Sequence, residues 1–297
     1  MGRQPGMSIL AGLWEPFATF GFMRRALVAS ITLGMGAGPV GVLLQLRRMS
    51  LIGDAMSHAI LPGAAIGFLA AGGLSLTAMG LGGIAAGLGV ALLAGLVSRR
   101  THLAEDASFA SFYLTSLALG VLIVSARGSN IDLLHVLFGT ILAIDGPALY
   151  LMAGITTLSL FLLSFIWRPL VMECVDPGFM RMTGSRGALY HMVFLFLVVI
   201  NLVAGFEALG TLMSVGMMMV PAATARLWTR RLVPMMALSA MVGMLAGFTG
   251  LLVSYHFRLA AGPCIILTCS AAYLFSLIAS PVGIRAGGGG SSPFRSH

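Results

Sequence analysis

Asp54 and His58 stand four residues apart in "SLIGDAMSHAILPGAAIGF", Ser50 to Phe68, an otherwise uncharged apolar run. On a helix, positions i and i+4 share a face, with Cβ atoms about 5–6 Å apart. A carboxylate oxygen and an imidazole nitrogen so placed can both reach one divalent metal at about 2.0–2.2 Å. Spacing alone serves two other readings as well. One is a structural Asp–His hydrogen bond, and the other is Asp54 capping the helix that begins here.

The surrounding chain decides what medium these groups occupy. Its 297 residues are 58% hydrophobic and only 9% charged, against about 25% charged in a soluble domain, and the mean hydropathy is +1.00. This is the composition of a polytopic membrane protein. An ionised aspartate within a span costs roughly 2.5–3.5 kcal/mol on insertion scales, so it needs a partner or a use. Counted from Arg48 at about 1.5 Å per residue, Asp54 falls about 9 Å into the bilayer.

A net charge of +8 would suggest nucleic acid in a soluble protein. Here the arginines sit in short loops, as the positive-inside rule produces, and nucleic acid is excluded. All 17 basic residues are arginine, so the chain lacks the phosphate-binding lysine of a P-loop and carries no conventional ATPase site of its own. Cys174, Cys264 and Cys269 form no CxxC pair and indicate neither a disulfide framework nor a zinc cluster.

The elements that position Asp54 and His58 are apolar segments of about 20 residues, the length a bilayer core requires. Nine qualify or nearly so: 26–46, 55–74, 76–97, 107–126, 147–167, 188–205, 208–227, 233–253 and 262–280. The segment from Ala208 contains Pro221 and is expected to be broken or re-entrant. The stretch "DLLHVLFGTILAI", Asp132 to Ile144, is too short to cross and reads as re-entrant or interfacial. The fold class is therefore all-α, a polytopic transmembrane bundle of eight to nine helices with at least one broken or re-entrant segment.

With nine spans, arginine clusters at Arg47/Arg48, Arg99/Arg100, Arg168 to Arg186, Arg226 to Arg231 and Arg285/Arg295 fall on one side, which the charge rule makes cytoplasmic. The C-terminus is then inside and the N-terminus outside. Residues 1–22 form an N-terminal segment whose "LWEPFATFGF" lies at the interface. Residues 23–284 form a single transmembrane domain, and the Gly/Ser-rich 285–297 form a disordered tail.

Other polar residues take lesser roles. His135, in the short stretch, and Glu207, opening the proline-containing segment, are candidates for lining a path. Ser57 suits helix packing better than a site. His191 and Asn201, inside a span, suit helix–helix hydrogen bonds. The methionines, Met217 to Met219 included, are apolar filler rather than a soft-metal path.

Four stretches carry a resemblance to a known family. "RRMSLIGDAMSHAILPGAAIGF" (Arg47 to Phe68) and "ALGTLMSVGMMMVPAATARL" (Ala208 to Leu227) are specific; "NIDLLHVLFGTILAI" (Asn130 to Ile144) and "GPCIILT" (Gly262 to Thr268) add weaker matches in the same order. The chain resembles the permeases of zinc/manganese ABC transporters, membrane subunits of bacterial metal importers. The resemblance matches Gly53, Asp54, Ser57 and His58 to a Gly-Asp-x-x-Ser-His motif whose Asp and His are the proposed metal ligands. It implies a homodimer in the bacterial inner membrane, with a cytoplasmic ABC ATPase subunit and a periplasmic or surface metal-binding protein as partners. "ECVDPGFMRMTGSRGALYHM", within the cytoplasmic loop 168–187 and just beyond, resembles the coupling segment, where a short helix docks on the ATPase. Its polar and turn residues are Asp176, Arg181, Gly184 and Arg186.

The function expected is a transport subunit with no catalytic residue and no permanently bound cofactor. Imidazole plus carboxylate suits zinc, with manganese next and ferrous iron also compatible. A gradient-driven secondary transporter would need further membrane acids, for which only Asp145 and Glu207 are at hand. An intramembrane metalloenzyme would need a third ligand and a base, and the chain contains no HExxH.

Overall fold

The computed structural model describes residues 9–72, 75–101, 105–126, 144, 146–182 and 187–280. His135, Asp145, Gly184 and Arg186 lie outside them, as do residues 285–297 and most of the stretch 132–144.

The described residues are helical throughout. The elements are α1 (Ile9–Thr19), α2 (Gly21–Leu46), α3 (Ser50–Ala59), α4 (Leu61–Ala71), α5 (Leu76–Arg100), α6 (Glu105–Ala126), α7 (Gly146–Phe165), α8 (Trp167–Val175), α9 (Pro177–Met182), α10 (Gly187–Leu209), α11 (Thr211–Trp228), α12 (Leu232–Phe257) and α13 (Ala261–Ala279). Among the described residues, eight helices are long and apolar enough to cross a membrane, with α3 and α4 together forming one of them, Leu51–Ala71.

Helices α2 and α10 are the most deeply buried of these, whereas α6 and α7 turn most of their length outward. The outward residues are mostly apolar, among them Leu119, Val121, Leu122, Phe161 and Phe165, as lipid contact requires. Around α2 pack α12, α11, α7 and α10, and α4 lies against α5. Small residues make the α4–α5 approach feasible: a Cβ on Gly63 would come within 2.0 Å of the Gly82 carbonyl oxygen, and one on Gly67 within 2.1 Å of that of Ala78. Polar groups inside the bundle also join its helices. The Asn201 amide donates to Ser159 Oγ at 2.7 Å and to the Leu197 carbonyl at 2.8 Å, tying α10 to α7.

The interruptions fall elsewhere than the sequence suggests. Helix α11 runs unbroken through Pro221. The chain breaks before it, at Gly210, whose φ of 84° is in the left-handed region that glycine tolerates. Glu207 accordingly belongs to the last turn of α10 and does not open the proline-containing segment. A second break separates α3 from α4. Pro62 has no N–H to give the His58 carbonyl four residues earlier, so the helical ladder loses a rung there.

The ends of the helices agree on one polarity. Arg48, closing α2, shares a cavity with Arg226 and Arg230 at the end of α11 and with Tyr273 of α13, and Arg47 reaches Glu173 of α8 and His191 of α10. Phe22 and Met23, at the start of α2, meet Ser254 to His256 at the end of α12 at the opposite pole. At that pole α1 packs on the bundle through Phe17, stacked on Phe248 with ring centroids 5.3 Å apart.

Candidate metal site

The site helix is launched by a tight turn. Arg48 takes φ 57°, the Met49 amide donates back to the Leu44 carbonyl at 3.0 Å, and α3 begins at Ser50. Holding a non-glycine residue there costs about 1–3 kcal/mol, which the packing of α3 must offset. That packing uses Ile52, Met56, Ala59 and Ile60, all essentially inaccessible. At Gly53 the Met219 methyl of α11 fits so closely that a Cβ would meet it at 2.3 Å.

Burial of this face turns the other outward. Leu51 is exposed, the Asp54 side chain is 66% exposed and that of His58 33% exposed. Asp54 Oδ1 and His58 Nε2 lie 3.9 Å apart on one face, beyond hydrogen-bond reach. Asp54 is not a cap either, because the N-cap position belongs to Met49. The two side chains thus share one outward face at ion-pair separation. The His58 ring lies beside that of Tyr113 on α6, centroids 6.4 Å apart and 29° between planes, which limits its rotation. Ser57 is buried and donates to the Asp54 carbonyl at 2.7 Å, so its hydroxyl serves the helix backbone.

Among the described residues no three His, Cys, Asp or Glu side chains gather closely enough to hold a metal. Asp54 and His58 supply two donors, fewer than the usual four around zinc or six around manganese. A metal held by this pair would take its remaining ligands from water or from another chain.

Next to the site helix lies a charge cluster that the sequence did not disclose. Arg47 Nη2 stands 3.8 Å from Glu173 Oε1, with both side chains buried. The same guanidinium donates to His191 Nδ1 and lies 5.3 Å from the centroid of the Phe194 ring. The signals available were an acid in an arginine-rich segment and a histidine inside a span. Nothing local tells Arg47, which turns inward, from Arg48, which does not.

Beyond Glu173, Asp176 ends α8 and starts α9: its amide donates to the Met172 carbonyl at 2.9 Å, and its Oδ1 accepts from the Phe179 amide at 2.9 Å. Arg181 lies on α9. This short helix buries Met180 and exposes Phe179 and, at 90%, Met182. Glu207 lies in α10, but its side chain is outside the described residues.

The described residues thus form a bundle of helices long and apolar enough to cross a membrane, with a carboxylate and an imidazole on one face of one of them. The chain belongs to the ABC 3 transport family, whose model matches residues 19–280. It is 35% identical over 262 residues to the manganese import system permease protein ScaB of Streptococcus parasanguinis, covering 88% of this chain and 92% of that one. A probable iron transport system membrane protein of Haemophilus influenzae is 29% identical over 92% of this chain and 98% of its own. Among solved structures, PsaBC from Streptococcus pneumoniae in complex with Fab superposes with a TM-score of 0.81 at 32% identity, covering 93% of this chain and 98% of that one.

Proposed function

We propose that this chain imports a divalent first-row metal across the bacterial inner membrane, with Asp54 and His58 as ligands on the path and ATP hydrolysed by a separate cytoplasmic subunit. The observation that carries this is the outward common face of Asp54 and His58 within the span Leu51–Ala71. A carboxylate facing lipid there is costly. A second copy of the chain facing the first would cover it and complete the ligand set with its own Asp and His.

Sequence chemistry put zinc first. The manganese and iron named for the relatives move manganese ahead of zinc, since a carboxylate-containing site accepts either. The exposed apolar end of α9, with Phe179 and Met182, suits a groove on the ATPase, and a periplasmic or surface binding protein would deliver metal at the pole of His256. The C-terminus is then cytoplasmic.

The test is reconstitution in liposomes with the ATPase and the metal-loaded binding protein, comparing Asp54→Ala and His58→Ala with the unaltered chain. Loss of manganese and zinc uptake in both, with the complex still assembled, is expected. Normal transport by both variants would remove the pair from the path.

A further inference from the structure

The arginine-bearing pole contains a cavity of about 780 Å³ between the ends of α2, α11, α12 and α13. Its polar lining is Gln45, Arg48, Arg226, Thr229, Arg230 and Tyr273, and no carboxylate takes part. Among the described residues none of these three guanidinium groups is paired with an acid. Arg226 is held in place by donating to the Gln45 carbonyl at 3.2 Å. Three positive charges without a counter-charge repel a divalent cation, so this cavity is no part of the metal path. They favour an anion, and guanidinium forks match phosphate oxygens in particular.

The depth of the cavity narrows the choice further. Tyr273 sits six residues before the end of α13 at Ala279, about 9 Å along the helix axis, and Met235 adds an apolar wall. Beside it Leu274, Leu277 and Ile278 are exposed, as is Trp228 at the end of α11. The cavity thus combines three guanidinium groups with apolar lining from Leu46, Leu227 and Met235, and it is bordered by exposed apolar side chains. We propose that it binds the headgroup phosphate of an anionic phospholipid, whose acyl chains run along Leu274 and Ile278. Basic pockets between membrane helices on the cytoplasmic side are suited to such headgroups.

The experiment follows thermal unfolding of the full chain in detergent as short-chain phosphatidylglycerol, phosphatidylcholine or inorganic phosphate is added. Phosphatidylglycerol is expected to raise the Tm saturably, and the other two at equal concentration to leave it unchanged. Each arginine near an anionic headgroup contributes about a factor of 5 in affinity. Arg230→Gln alone should therefore weaken the lipid midpoint about 5-fold and Arg226→Gln with Arg230→Gln about 30-fold. Arg168→Gln, which removes a charge outside the cavity, should preserve it. The proposal is overturned if Arg230→Gln binds the lipid unchanged or if inorganic phosphate reproduces the Tm shift. Loss of lipid binding on adding the ATPase subunit would overturn it too, since the arginines would then belong to a protein interface.

Discussion

Arg47 and Glu173 form a buried ion pair, Nη2 to Oε1 3.8 Å, between the helix end that launches the site helix and the helix that leads into α9. Removing one member strands the other charge in a poorly solvated place, which costs about 3–5 kcal/mol, whereas replacing both by apolar groups costs far less. Arg47→Met and Glu173→Met should each lower stability of the full chain in detergent unfolding by that amount, and the double variant by less than either. A double variant as unstable as the sum of the singles would show that the two do not act as a pair.

Close approach of α2 and of α3 to α11 depends on one glycine each, in different ways. A Cβ on Gly41 would fall 1.9 Å from the Met218 carbonyl oxygen, which is backbone and cannot swing aside, whereas one on Gly53 meets the end of the flexible Met219 side chain. Gly41→Ala should destabilise by about 1–3 kcal/mol or more through overpacking. Gly53→Ala should fall below that range. Equal losses of Tm in the two variants would contradict this placement.

Ligand chemistry at position 54 offers a test of selectivity. Oxygen donors suit manganese, and imidazole suits zinc. Asp54→His is expected to shift competitive uptake toward zinc by more than about tenfold, a difference of about 1.4 kcal/mol in relative affinity. Uptake of the two metals in an unchanged ratio, at any rate above background, would show that Asp54 does not touch the ion.

Burial pushes the Cys174 thiol, on α8, up to about 11, only partly countered by the neighbouring Arg47. The thiolate is the reactive form, so almost none is present at pH 8 and its fraction rises with pH toward that value. Maleimide labelling of the folded chain at pH 8, read by mass spectrometry, should leave Cys174 unmodified while full denaturation exposes it. Rapid labelling without denaturant would mean that α8 does not cover the sulfur as described.

The membrane class, the helical architecture and the shared face of Asp54 and His58 were legible in the sequence by itself. Apolar length, arginine placement and i,i+4 spacing are local properties that survive without knowing any neighbour. Helix ends were less so: Pro221 reads as a break, yet α11 continues through it because packing against α2 and α12 holds the helix together. The chain instead turns at Gly210, where the backbone needs a positive φ. Which face Asp54 presents, which of two adjacent arginines turns inward to Glu173, and the gathering of Arg48, Arg226 and Arg230 around one cavity were decided only by tertiary structure. Each of these depends on groups more than a hundred residues apart, brought together by helix packing that no local pattern encodes.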